Sequence, residues 1–236
     1  MAGKRSFRSR LQQSLFSKKI VISFAICVGL GLGGLIGILW FGMQGLPSIE
    51  SLQDYQPSLI TRVYSDEGDV IGQFFVERRI YIPVSDMPTS LINAIIAVED
   101  TRFFEHPGLD VVGIFRAAWT NLKSGGKVQG ASTITQQTAK NLCLWPGRSY
   151  SRKGLEAGIA LGLEALWGKK RILEVYLNIA EFGPGIYGVE AASQHYFGKT
   201  AKRLTPRQSA QLAVLLPNPK ERDPNHLTPY LKERVT

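Results

Sequence analysis

The sequence predicts a mainly α protein with a small β element, preceded by one N-terminal transmembrane helix. Three observations predict it. Residues 20–41, IVISFAICVGLGLGGLIGILWF, carry no charge; residues 61–84 read as short strands around a turn; and after Pro88 apolar residues recur at helical spacing almost to the end. The composition of the 236 residues, 44% hydrophobic and 20% charged, is that of an ordinary globular chain with something apolar added.

Taken in order, residues 1–19 carry Lys4, Arg5, Arg8, Arg10, Lys18 and Lys19 and no acid. The positive-inside rule keeps such a tail in the cytoplasm and puts everything after residue 41 outside. The uncharged run of residues 20–41, at about 1.5 Å per residue, crosses a hydrocarbon core of roughly 30 Å. A cleaved signal peptide is the competing reading, but the run is long for one and no small-x-small site follows in FGMQGLPS. Gly29, Gly33 and Gly37 form two overlapping GxxxG spacings, which allow self-association of the span.

The net charge of +9 is largely topological. Six of the 28 basic residues precede the span, which leaves 22 against 19 acidic ones. The charge therefore answers to an anionic inner leaflet, and no nucleic-acid partner is expected. Cys27 lies in the span and Cys143 beyond it, so no intrachain disulfide is expected.

Residues 42–58 read as a linker, and residues 59–236 as one domain. It opens with TRVYSDEGDVIGQFFVERRIYIPV, two or three short strands with Asp66-Glu67-Gly68 as the turn. A helix with Ser90 as N-cap follows, then one from Leu109 to Leu122 that stops at Gly125-Gly126. Further helices are expected over Ser151–Trp167, Lys170–Ala180 and Val189–Tyr196. Thr205-Pro206-Arg207-Gln208 combines a capping box with proline at the first helical position, and Pro217 and Pro219 close that helix.

Three stretches could carry chemistry. In AIIAVEDTRFFEHPGLD, Ala94 to Asp110, Ile92, Ile95 and Ile96 share a helical face with Glu99. Apolar neighbours, the helix C-terminus and Asp100 would all raise the pKa of Glu99, as a general base near neutral pH requires. The plain alternative is an Asp-Thr-Arg turn with His106 as a packing residue. In GGKVQGASTITQQTAKNL, Gly125 to Leu142, a glycine-rich segment opens into a helix whose Thr133, Gln136, Gln137 and Lys140 make a polar stripe. Amides and hydroxyls suit a sugar and the lysine a phosphate; a merely solvated helix face is the alternative. In RSYSRKGLEA, Arg148, Arg152 and Lys153 precede Glu156, which falls on an apolar stripe with Ala160, Leu163 and Trp167 and needs a partner. A salt bridge to Arg152 would supply one without any catalytic role.

Other matches carry little. Ser124-Gly125-Gly126-Lys127 has SxxK spacing but no SDN or KTG partner; Gly198-Lys199-Thr200 is only the tail of a P-loop; and His106, His195 and His226 lack metal-ligand spacing.

The stretches EDTRFFEHPGLD, GASTITQQTAKN, RKGLE and KKRILEVYLNIAEFGPGIYGVEAASQHYF resemble, in order and spacing, the motifs of glycosyltransferase family 51, the peptidoglycan glycosyltransferases. The resemblance runs from about Pro47 to Pro219. With one span and no transpeptidase half, the chain looks like the monofunctional biosynthetic type in its Gram-negative form. The resemblance implies a lysozyme-like domain on the periplasmic side of a bacterial inner membrane. It implies polymerisation of lipid II into β-1,4 glycan strands, with inversion at the donor carbon and release of undecaprenyl diphosphate.

By the same resemblance Glu99 is the base that deprotonates the acceptor 4-hydroxyl. Glu156, the second catalytic candidate, organises the cations or holds a metal. Lys140, Arg148, Arg152 and Lys153 would hold the diphosphate, and Ser132, Gln136, Gln137 and Asn141 would line the sugar cleft. Phe103, Phe104 and His106 would shape the pocket, and Asp100 would orient its neighbours. No cofactor is required by this chemistry, although a divalent cation, Mg or Mn, at the diphosphate stays open. The implied partners are lipid II, the growing glycan strand, membrane lipid and other cell-wall synthesis and division proteins.

The stretch around Leu109 to Trp119, with IFRAAW, could dip into the membrane interface, but an ordinary core helix is the expectation. The family domain continues past the PNP segment into another helix. Here LTPYLKERVT stops soon after, so a closing helix is expected to be missing or cut short. A lytic, lysozyme-like enzyme and a non-catalytic scaffold are the alternatives. The basic cluster favours transfer, because cutting a sugar–sugar bond needs a proton donor while a diphosphate leaving group needs cations.

Overall fold

A computed structural model describes residues 22, 26, 29, 33, 37, 61–64, 66–67, 70–74, 80–126, 130–145, 147 and 149–235. It divides into two units, Met1–Leu46 and Pro47–Thr236. In the first, the described positions are helical and exposed; the rest of the span expected over 20–41, with the basic tail and the linker, lies outside the described residues. Among the described residues no helix is long and apolar enough to cross a membrane.

The second unit opens with the antiparallel pair β1 (Thr61–Tyr64) and β2 (Val70–Phe74), Thr61 opposite Phe74, with the turn at 66–67 where the acidic pair predicted it. Of the two or three strands expected, two are seen among the described residues, and residues 80–83 belong to no strand. That segment is instead tied to a helix. Asn178 accepts from the Ile82 N–H (2.9 Å) and donates to the Ile82 carbonyl (2.9 Å), while Glu174 accepts from the Val84 N–H (2.9 Å). Side chains thus do what a neighbouring strand would otherwise have done.

Six longer helices follow: α1 (Thr89–Glu99), α2 (Val111–Lys123), α3 (Ile134–Cys143), α4 (Tyr150–Leu166), α5 (Lys169–Ile179) and α6 (Val189–Phe197). The hairpin of β3 (Glu181–Gly183) and β4 (Ile186–Tyr187) separates α5 from α6, and α7 (Pro206–Ala213) and α8 (Pro229–Val235) complete the unit. The Thr205 capping box forms as predicted: Thr205 Oγ1 accepts from the Gln208 N–H and Gln208 Oε1 from the Thr205 N–H.

One expectation fails at a helix end. The first helix is capped by the position of Pro88, not by Ser90, because proline's fixed φ already suits a helix start and leaves no N–H to satisfy. Ser90 Oγ lies 3.1 Å from Ser209 Oγ, joining α1 to α7. Past the PNP segment, where a closing helix was expected to be missing or cut short, the short helix α8 packs on α7 and buries Leu231.

The core lies among α1, α3, α4, α5 and α7. Leu91 and Ile95 of α1, Ile134 and Ala139 of α3, Leu163 of α4, Ile172, Val175 and Leu177 of α5 and Leu212 of α7 are essentially inaccessible. The helix α2 is different. Its buried residues are Gly113 and Ala117, while Val112, Phe115, Trp119 and Leu122 are 56, 72, 61 and 76% exposed. The expectation of an ordinary core helix over this stretch is therefore wrong, because the helix turns its small residues inward and its large apolar ones to solvent.

Candidate active site

The C-terminus of α1 meets the flank of α3, and the site is built at that junction. Glu99 is the last residue of α1, and its Oε2 accepts from Gln137 Nε2 at 2.5 Å. Its Oε1 is buried and has no hydrogen-bond partner among the described residues. Burial, the largest influence, raises the pKa of Glu99; Gln137, Lys140 and Arg222 pull it down by less, and Asp100 adds a small upward push.

Asp100 holds the junction together. It accepts from His106 Nε2 (3.0 Å) and from the Ile134 N–H (3.0 Å) at the start of α3, where a helix N-terminus favours negative charge. Thr133, the N-cap of α3, accepts from the Gln136 N–H at 3.1 Å and donates to the Gly108 carbonyl at 2.6 Å. Gln136 closes a capping box by accepting from the Thr133 N–H at 3.1 Å.

Two cavities share Glu99, Gln137 and Pro217. One, of about 570 Å³, is also lined by Asp100, Ser132, Arg116, Arg222, Tyr230 and Arg234; the other, of about 520 Å³, by Lys140, Asn141, Tyr176, Glu181, Asn218 and Lys220. Beside them Glu156, 2% exposed, is paired with Lys153, whose Nζ also donates to Ser132 Oγ at 2.7 Å, and lies 3.9 Å from Arg152. Burial lowers the pKa of Lys140, and the charges of Arg152 and Lys153 push the same way while Glu156 and Glu99 oppose them.

A carboxylate shared by two cavities, with Lys140 and Arg222 close enough to act on its charge, suits proton abstraction from one bound molecule beside another that carries negative charge. The sequence pattern of the transglycosylase family matches residues 67–236. The chain belongs to that family. Among similar proteins is a biosynthetic peptidoglycan transglycosylase of Marinomonas sp. (strain MWYL1), 63% identical over 155 residues that cover 66% of this chain and 68% of that one. A protein of the same name from Salmonella paratyphi B is 41% identical, covering 96% of this chain and 90% of its own length; one from Escherichia coli O127:H6 is 43% identical, covering 90% and 84%. A crystal structure of penicillin-binding protein 1A from Haemophilus influenzae matches 77% of this chain and 17% of that chain at 24% identity and a TM-score of 0.39, too distant to build on.

In this transglycosylase Glu99, Asp100, Ser132, Gln137, Lys140 and Asn141 line the cavities. Arg152, Lys153 and Glu156 line neither, but reach them through Ser132 and the charge field around Lys140. Arg148 lies outside the described residues. Three expectations need correction. Gln136 is 4% exposed with its amide committed to the cap, so it does not line a sugar cleft. Phe104 is 62% exposed and packs edge-on against Phe103, away from both cavities. His106 is buried against Asp100 and supports the site without lining it. The stripe from Thr133 to Lys140 is not a solvated face either: Thr133 and Gln136 are buried, and Gln137 and Lys140 half-buried.

Sequence reasoning missed Tyr176 and Arg222. Tyr176 belongs to the LEVYLN stretch, whose apolar spacing marks it only as core; Arg222 falls in an irregular segment with no period to read. Glu156 is taken by Lys153 and Arg152, and among the described residues no three His, Cys, Asp or Glu side chains gather.

Proposed function

We propose that this chain polymerises lipid II into linear β-1,4 glycan strands of peptidoglycan, inverting at the donor carbon and releasing undecaprenyl diphosphate. The observation that carries the reading is Glu99, a carboxyl raised in pKa by burial and set at the seam of two cavities with cations nearby. The relatives named biosynthetic peptidoglycan transglycosylases support it.

In the reaction Glu99 takes the proton of the acceptor 4-hydroxyl as that oxygen bonds to the donor's anomeric carbon. The bond from that carbon to the diphosphate oxygen breaks, and the electron pair leaves with the diphosphate. Lys140, Lys153, Arg152 and Arg148 stabilise the growing negative charge, which needs no general acid. Ser132, Gln137 and Asn141 orient the sugars. Glu156 acts through Lys153, holding its ammonium where it also meets Ser132. Transfer is favoured over hydrolysis because a diphosphate leaving group calls for cations, which Lys140, Lys153 and Arg152 supply, whereas cutting a sugar–sugar bond calls for a proton donor.

The same reading makes the chain a single-pass protein of a bacterial inner membrane, with its N-terminus cytoplasmic and its catalytic unit periplasmic. Confinement with a lipid substrate raises the effective concentration of both. The exposed apolar residues of α2 suit the lipid interface, with Lys123 over the Trp119 ring at 5.0 Å as an interfacial pair. Association with other wall-synthesis and division proteins belongs to this reading as well.

The test is polymerisation of purified lipid II by the detergent-solubilised protein, with Glu99→Gln alongside and products sized on a gel. Glycan ladders from the wild type and none from a folded Glu99→Gln support the proposal. Cleavage of preformed glycan without ladders would replace it with the lytic reading.

A further inference from the structure

We propose that Tyr176 is a positioning residue: its hydroxyl locks the side-chain amide of Gln137 so that Gln137 only donates to Glu99 Oε2, which reserves Oε1 to receive the acceptor's proton. This rests on the glycosyl-transfer reading above and assigns a role within that site.

The geometry is a three-residue chain across three helices, α5, α3 and α1. The Tyr176 ring is embedded in α5 at 1% exposure, and its hydroxyl donates to Gln137 Oε1 at 3.3 Å. Gln137 Nε2 in turn donates to Glu99 Oε2 at 2.5 Å. A glutamine amide has two faces, one donating and one accepting. Turned over, Gln137 would set its carbonyl oxygen against the Glu99 carboxylate, an arrangement that favours the protonated acid over the base. A buried hydroxyl on the far side settles that choice: turned over, the amide could still donate to the phenol oxygen, but the phenol's own proton would lose its acceptor, Gln137 Oε1. Tyr176 keeps its proton firmly: burial first, and then the charges of Glu99 and Asp100, hold its pKa well above the usual phenol value.

The consequence is an asymmetric carboxylate. One oxygen carries a short bond from an amide that cannot turn; the other is buried and unpartnered among the described residues. Proton transfer then has one destination. The other charged groups that act on Glu99 are Lys140 of α3, Arg222 of the segment after α7 and the adjacent Asp100, and removal of the Tyr176 hydroxyl leaves each of them in place.

A double-mutant cycle on lipid II polymerisation tests this, using the full chain in detergent with Tyr176→Phe, Gln137→Ala and the pair. Tyr176→Phe is expected to lower kcat about tenfold at unchanged KM and to move the acidic limb of the pH–rate profile upward. In the Gln137→Ala background it is expected to do nothing more, because the hydroxyl acts only through the amide. Additive losses, or an unmoved limb, would overturn the proposal. If Tyr176→Phe does not fold, ¹⁵N NMR of the wild type decides: the Gln137 amide protons should shift with Glu99 titration, and amide shifts independent of pH would overturn it. The broader reading fails separately, if the wild type makes no glycan or a folded Glu99→Gln still does.

Discussion

The helices α2 and α3 break the inside–outside rule in opposite directions. Much of α3 is polar, yet it buries Thr135, Gln136 and Thr138 and half-buries Gln137 and Lys140. Its neighbour α2 is largely apolar and exposes Val111, Val112, Ile114, Phe115, Trp119 and Leu122. Neither choice stabilises the free chain, since buried polar groups need partners and exposed apolar ones forgo transfer free energy. Under the proposed function each has a ligand: sugar and diphosphate against α3, lipid against α2.

The largest effect expected on the α3 side is on turnover. Lys140→Gln keeps a polar side chain, one atom shorter, but removes the charge proposed to face the diphosphate, so polymerisation should fall about 10²- to 10³-fold with the fold intact. Initial rates on lipid II, with a circular dichroism check, measure it. A loss under threefold would mean that Lys153 and Arg152 carry the leaving group alone, and that Lys140 is a buried polar residue without a catalytic reason.

On the α2 side the effect should fall on partitioning. Phe115 is 72% exposed, so a charge there perturbs no core. Burial of one such ring in lipid contributes about 1.5–3 kcal/mol, so in the Pro47–Thr236 unit without the span Phe115→Asp should weaken binding to phospholipid vesicles about 10- to 100-fold while leaving Tm nearly unchanged. Unchanged vesicle binding would show that the exposed face meets something other than lipid.

The contrast also shows where sequence reading stops. Spacing predicted a helix from Leu109 to Leu122 and another opening out of the stretch Gly125 to Leu142, and α2 and α3 form there, two residues later at the first start, because shared faces follow from 3.6 residues per turn. It could not say what the face meets, and so α2 was assigned to the core. Glu99, Gln137 and Lys140 were legible from motif and spacing. Arg222 and Tyr176 were not, because one reaches Glu99's surroundings from an irregular segment and the other is a core residue whose single polar atom happens to face a cavity. Even the Thr133 capping box, with Gln three residues on, was present in the letters and was read as a sugar-binding stripe.

That box supplies a smaller prediction. Thr133→Ala removes a cap that also donates to the Gly108 carbonyl, joining α3 to the loop after Asp100. The loss should be about 1–2 kcal/mol, read as a lower midpoint in urea unfolding. Thr133→Ser, which keeps the hydroxyl, should recover most of it.

The smallest effect should have the opposite sign. Glu99 has its pKa raised in the folded chain, mainly by burial. The folded state therefore binds this proton more tightly than the unfolded one. Its contribution to stability is fully present below the ordinary glutamate pKa, near 4.3, and is lost as pH rises through the folded value. At neutral pH the wild type thus holds a carboxylate where a neutral group would be more stable. Glu99→Gln supplies one, and its carbonyl can still accept from Gln137. The variant should be inactive but melt about 2–4 °C higher at pH 7.5, a gain that closes below about pH 4. A lower Tm at pH 7.5 would mean that Lys140 and Arg222 more than compensate the buried charge. The polar lining of α3 would then be a stabilising network in its own right, and the symmetry between the two helices would fail on that side.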